Sequence, residues 1–329
     1  MMQKLLTIVV PVYKVEAYID KCLSSLVLED ASLMDRLEVI IVNDGTPDRS
    51  AEMSREYVKR YPGTFRQIDK ENGGHGSAWN VGLKEATGKY LRFLDSDDWF
   101  TNLDRLLEDL SVRDVDILFH PYVKHFTETG QTVQVGTTIP SGKETGISKE
   151  MWGKSPDGYS CVNFWSSTYK TSILKPLLPL FAERVMFDDY ILTWAPLVHG
   201  RTCLALDYPV YHYLIGRPGQ SMSFAQQRKG AKSYLACFRQ YEDVRSRIAV
   251  GHVPGNLLEC MDGSIRNYAH FVFSFLPFLP YREARAAMEH LWDGYVRDIA
   301  GKTRLARRYG SLPFPVFYAL ECLRSRKNK

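Results

Sequence analysis

Residues 38–47 read Glu38-Val39-Ile40-Ile41-Val42-Asn43-Asp44-Gly45-Thr46-Pro47, and three structural signals follow one another within that stretch. The β-branched run Val39 to Val42 predicts a strand buried on both faces. Asn43, Asp44 and Gly45 are turn residues. Thr46 and Pro47 then predict a helix start, with Thr46 as the cap and Pro47 in the first turn, where a missing N–H costs nothing. A buried strand that leads through a polar turn into a helix is the repeating unit of a parallel α/β sheet.

The alternation extends to either side. Leu6–Val10, Phe65–Asp69, Tyr90–Leu94 and Asp116–Phe119 are further strand-like runs. Ala17–Leu28, Asp48–Tyr61, Ala78–Ala86 and Leu103–Leu110 have helical spacing, and Gly88 suits a stop before the fourth strand. The expected fold is therefore α/β, with a mainly parallel central sheet flanked by helices and ligands beyond the carboxyl ends of its strands. Further on, Tyr122–Val135 reads as a hairpin turning at Gly130. Val162–Tyr169, Thr202–Ala205 and Pro209–Leu214 read as strands, and Tyr190–Val198 as a helix. After Ser223 the pattern becomes helical, basic and aromatic. The expected division is 1–223 for the α/β domain and 224–329 for a helical C-terminal region.

Composition narrows the class. At 329 residues, 45% hydrophobic and 24% charged, the chain is neither disordered nor a small disulfide scaffold. Its formal charge of +4 is uneven: residues 301–329 carry eight bases and one acid, which leaves −3 on the first 300. Six scattered cysteines without a Cys-x-x-Cys pair argue against a disulfide framework or structural zinc, and for a reducing compartment. No stretch approaches the roughly 20 apolar residues of a membrane span. Bases confined to one terminus of an acidic body also make nucleic acid a poor partner.

Three polar clusters close predicted strands. Asp44, beside a helix start, suits a ribose hydroxyl or a base N–H. Asp95-Ser96-Asp97-Asp98 packs three acids into four residues, which repel unless a cation or donors gather there. Such oxygen ligands favour Mg²⁺ or Mn²⁺. Asn72-Gly73-Gly74-His75-Gly76-Ser77 enters a helix with bare N–H groups that suit a phosphate or sugar. His75 within it reads equally as a local hydrogen-bonding residue.

Taken together, Val10-Pro11-Val12-Tyr13-Lys14, Val42–Thr46, Asn72–Asn80 and Leu94–Asp98 resemble the ordered signature of family-2 glycosyltransferases over about residues 6–100. The resemblance implies a GT-A fold and an inverting, metal-dependent transfer from a nucleotide sugar, by family habit a UDP-sugar. It implies that Pro11, Tyr13, Asp44, Asn72, Gly73, Gly74 and Asp95 bind the donor. Asp95 and Asp97 would hold Mn²⁺ or Mg²⁺, with His212 of Tyr211-His212-Tyr213 as a third ligand. The pair Asp188-Asp189 would supply the catalytic base, Asp189, with Asp188 its neighbour, and Arg217 would fold over the diphosphate. Where many members have Ala-Arg-Asn, this chain has Ala78-Trp79-Asn80, so Trp79 is expected in the core or on a sugar. Arg92 or Arg217 is then left to supply the charge, although strand alternation turns Arg92 away from Asp95.

A sugar nucleotidyltransferase is the rival enzyme, but its glycine-rich first turn is missing from Pro11–Glu16. A non-catalytic nucleotide- or glycan-binding module is the other rival. The basic, aromatic tail suits an anionic membrane surface, a glycan or lipid-linked acceptor, or a second copy of the chain. The expected place is the cytoplasm, at the inner face of the membrane if the tail binds lipid.

Overall fold

The computed structural model describes residues 3–152, 162–217, 230–249, 253–296 and 313–327. Strand β1 (Leu6–Val12) is buried at every position and pairs in parallel with β2 (Leu37–Asn43) on one side and β4 (Tyr90–Phe93) on the other. β3 (Phe65–Asp69) adds beyond β2. The resulting order β3-β2-β1-β4 means the chain winds outward from β1 and then returns to its other edge. That reversal opens a crevice at the carboxyl ends of β1 and β4. Beyond β4 lie β10 (Ser167–Lys170), β6 (Ile117–Phe119), β11 (Thr202–Ala205) and β9 (Thr145–Gly146), of which β10 and β9 run against the rest. The sheet is mainly parallel, as expected.

A second sheet, in the order β5 (Trp99–Phe100), β12 (Tyr211–Ile215), β7 (Tyr122–Phe126), β8 (Thr132–Val135), stands next to that crevice. The predicted hairpin is β7–β8, and Gly130 takes the left-handed conformation that its turn needs, with φ +69°. Helices α1 (Ile19–Ser24), α2 (Ala31–Met34), α3 (Ser50–Arg60), α4 (His75–Glu85) and α5 (Leu103–Val112) connect the strands of the first half. α6 (Thr171–Leu174) follows β10, and α7 (Ala195–His199) leads into β11.

Local readings needed three corrections. Thr46 does not cap α3: its hydroxyl donates to Asp48, whose carboxylate accepts from the Ser50 N–H at the true helix start. The helix expected over Ala17–Leu28 is reduced to α1. The strand expected over Val162–Tyr169 forms only from Ser167, where it pairs antiparallel with β4 and β6.

The C-terminal region is helical: α8 (Ala231–Arg247), α9 (Gly255–Phe275), α10 (Tyr281–Leu291) and α11 (Phe314–Lys327). It shares one apolar core with the sheet domain. Tyr234 stacks on Phe187 at 4.8 Å, Tyr268 on Tyr190 at 5.0 Å, and Tyr241 meets Trp194 edge-on at 6.1 Å. Arg247 donates to the carbonyls of Leu177, Leu178 and Pro179. The expected boundary near residue 224 falls outside the described residues, as do Pro218 to Ser221 after Arg217 and the bases Lys302 to Arg308. Among the described residues no helix is long and apolar enough to cross a membrane.

Candidate active site

The carboxyl ends of β1, β2 and β4, the start of α4 and the segment Val185–Asp189 enclose a cleft of about 420 Å³. Pro11 and Tyr13 enter it from the end of β1, and Tyr13 is 43% exposed. Asp44 enters from the end of β2 with only 3% of its surface exposed. Its carboxylate accepts from the Gly73 and Gly74 N–H groups, both at 2.8 Å, and from Lys70 Nζ at 2.6 Å. Asn72 donates to the Asp44 carbonyl at 3.0 Å. The N–H groups of Gly73 and Gly74 are therefore not bare, as the sequence suggested. They fix Asp44, and Gly74 does so at φ +86°, a conformation that strains any side chain.

β4 delivers the acid cluster, in which the three acids differ. Asp98 is committed to structure: it accepts from the Tyr211 hydroxyl at 2.6 Å and the Leu214 N–H at 2.7 Å, pinning β12 to this turn. Asp95 lies open to the cleft, and Asp97 is held by Arg217. Burial, then the charge of Asp95, pushes the Asp97 carboxyl above its usual range, while the Arg217 guanidinium pulls it back. One oxygen from each of Asp95, Asp97 and Asp98 lies within 4.8 Å of the others. A hard divalent cation fits this all-oxygen set, and Asp95 and Asp97, which line the cleft, are the residues that would hold it. The guanidinium on Asp97 is a cation drawn to the same charge.

His212 is a correction. On β12, Tyr211 and Tyr213 point toward the acids, so strand alternation turns His212 away. Both its ring nitrogens are engaged, with Thr101 Oγ1 and His125 Nε2, each at 2.8 Å, and the ring stacks on Trp99. Burial pushes its pKa down to about 4. It does not reach the acid cluster.

The second acid pair opens a short 3-10 helix, Asp188–Thr193, directly after Phe187, which adopts the left-handed conformation at φ +66°. Asp188 is buried, and the His75 ring lies against it, with Nδ1 at 3.0 Å from Oδ1. On the other edge of that ring, Nε2 is 2.9 Å from Asp95 Oδ1. Burial opposes a charge on His75, but the carboxylates of Asp188 and Asp95 together raise it well above the ordinary histidine value. Asp189 lines the cleft, and no side chain among the described residues is bonded to its carboxylate. Burial, then the charge of Asp188, pushes its pKa up to about 6, which suits a group that must take a proton near neutrality.

Trp79 is fully buried, stacked on Phe93 at 4.4 Å and against His75 at 4.0 Å, so it belongs to the core. Arg92 is also fully buried, donating to Thr168 and the Trp165 carbonyl, and does not line the cleft. Among the described residues, Arg217 is thus the arginine that reaches the acid cluster. Sequence reasoning missed the double contact of His75, the hold of Lys70 on Asp44, and the Trp165–Tyr213 stack at 4.8 Å on the cleft wall. None has a local signal, because each partner is distant in the chain.

The model of the family described as "Glycosyl transferase family 2" matches residues 7–174. The putative glycosyltransferase EpsH of Bacillus subtilis is 30% identical over 216 residues, which are 64% of this chain and 60% of EpsH. The crystal structure of S. aureus TarS residues 1–349 with UDP-GlcNAc superposes with a TM-score of 0.57 at 19% identity, covering 88% of this chain and 89% of that one. The mannosyltransferase PcManGT of Pyrobaculum calidifontis, solved with GDP-Man and Mn²⁺, gives 0.52 at 17% identity, with coverages of 97% and 86%. These two share the fold, the mainly parallel sheet of GT-A enzymes. The matched family speaks for a glycosyltransferase reading over the nucleotidyltransferase. The chain belongs to glycosyl transferase family 2.

Proposed function

We propose that the enzyme is inverting and divalent-cation-dependent, and moves a sugar from a UDP-sugar to a hydroxyl of a glycan or lipid-linked acceptor. The observation that carries this reading is the convergence on one cleft of Asp44, Asp95, Asp97 and Asp189. A UDP-sugar donor is also what TarS binds, and Mn²⁺ accompanies the donor in PcManGT. Asp44, Tyr13 and Asn72 would hold the nucleoside. Asp95 and Asp97 would hold Mn²⁺ or Mg²⁺, which when bound neutralises charge on the departing nucleoside diphosphate. Arg217 would exchange Asp97 for the diphosphate as the donor enters. Asp189 would take the proton of the acceptor hydroxyl, whose oxygen attacks the anomeric carbon from the face opposite the leaving group. That single displacement inverts the anomeric centre. The test is a panel of nucleotide sugars assayed for nucleoside diphosphate release with and without Mn²⁺. Release from no UDP-sugar, or release indifferent to the cation, would overturn it.

For the C-terminal region the membrane reading rests on one face of α11. Val316, Leu320 and Leu323 are exposed at helical spacing, while Phe314 and Phe317 pack inward. The flanking sequence supplies the bases, each contributing about 1 kcal/mol at an anionic surface. A tail bound to lipid in this way would put the reaction at the inner face of the membrane. Co-sedimentation with phosphatidylglycerol vesicles but not phosphatidylcholine vesicles supports this. A dimer in solution without lipid binding would instead assign the face to a second copy.

A further inference from the structure

The acceptor-side acids and the donor-side acids come from segments almost a hundred residues apart, and a single ring joins them. His75 is the first residue of α4, so its position is set by the helix start rather than by a mobile loop. Trp79, one helical turn on, packs against the ring at 4.0 Å and is itself fixed between Phe93, Phe164 and Phe181. The backbone is equally constrained: a Cβ at Gly76 would strike the Ala182 carbonyl oxygen and Asp188 Oδ2. Helix α4 thus lies flush against the segment that carries the acid pair, with the imidazole in the seam. Its two nitrogens face Asp188 and Asp95 on opposite edges of one rigid plane.

We infer that His75 is a positioning residue, whose ring ties Asp188 to Asp95 and so fixes the neighbouring carboxylate of Asp189 relative to the bound donor. The inference rests on the reading of Asp189 as the base. It also accounts for Trp79: at this place in the helix an indole packs behind the imidazole and holds it in the seam. A base misplaced by about 1 Å loses on the order of a hundredfold in rate, so a rigid tie between the two halves of the site has a catalytic effect even though His75 touches no reacting atom.

Asparagine and glutamine separate the two contacts, because their amide nitrogens fall near the Nδ1 and Nε2 positions respectively. His75→Leu keeps the bulk and loses both bonds. Its kcat is expected to fall about 10- to 100-fold, with UDP affinity in Mn²⁺, measured by calorimetry, changed less than about threefold. His75→Asn keeps a donor toward Asp188 and His75→Gln one toward Asp95; either breaks the tie, so each is expected to stay about tenfold or more below the unaltered enzyme. If His75→Leu melts too early to assay, the Asn and Gln variants carry the test. Unaltered kcat in either variant, or UDP affinity that falls in step with kcat, would overturn the inference. Donor cleavage is measured in the unaltered enzyme first. Its absence defeats the functional reading, whereas its presence with unaffected His75 variants defeats only this inference.

Discussion

The two acid clusters are built alike and supported differently. In each, one carboxylate is committed to the fold beside a neighbour that faces the cleft: Asp98 is bonded to Tyr211 and Leu214 beside Asp97, which Arg217 holds, and Asp188 lies against His75 beside Asp189. Adjacency is therefore a division of labour, with one acid anchoring the turn that presents the other. The support differs. The Asp95–Asp98 turn hangs on β4 and β12, within the sheets. The Asp188–Asp189 turn leans on the C-terminal helices, through Phe187 on Tyr234 and Tyr190 on Tyr268. The C-terminal region, whatever it binds outside, is part of the wall behind Asp189.

The sharpest way to break this comparison is to remove one cleft-facing acid at a time. Asp189→Asn should lower kcat by about 10²- to 10⁴-fold, the range of a general base, while UDP binding in Mn²⁺ survives. Near-normal turnover would show that the two clusters do not divide the work as described. Asp97→Ala should do the reverse, weakening Mn²⁺-dependent UDP binding about tenfold or more, and calorimetry with and without Mn²⁺ reads it. Unchanged affinity would remove Asp97 from the cation site.

A third substitution tests the support rather than the acids. Tyr268 is 6% exposed and stacked on Tyr190. Tyr268→Ala should cost about 3 kcal/mol in urea unfolding, as truncation of a buried aromatic does. It should also lower kcat while sparing UDP affinity, because the base turn loses its backing and the cation turn does not. An affinity loss equal to the rate loss would mean the helices support both clusters alike.

What could be read from the chain follows the same line. Buried β-branched strands, the polar residues at their ends and the order of the acids are local patterns, so the sheet and the positions of Asp44, Asp95, Asp97 and Asp189 were legible. Which acid of a pair is committed was not, because the committing partners Tyr211 and His75 lie 113 residues from Asp98 and Asp188. His212 misled for the complementary reason. The family resemblance offered it as a ligand, and the register of β12 with β5 and β7 supplied the parity that turns it away. Gly73 and Gly74 offered N–H groups as the sequence suggested, but Asp44 takes them.

The smallest expected effect is also the most diagnostic of the second cluster. With its pKa near 6, Asp189 is ionised at neutral pH and takes up a proton as the pH falls. A base must be ionised to act, so kcat should be level above about pH 7 and fall about tenfold per unit below 6. Two causes hold that limb up, burial first and the charge of Asp188 second. Asp188→Asn removes only the second, and its amide oxygen can still accept from His75. The limb should then move to lower pH, by less than the full distance to an ordinary carboxylate, because burial remains. A limb that stays at 6 would mean the neighbouring charge is already neutralised by the His75 ring. A profile with no limb near 6 in the unaltered enzyme would take the role of base away from Asp189, and with it the parallel between the two clusters.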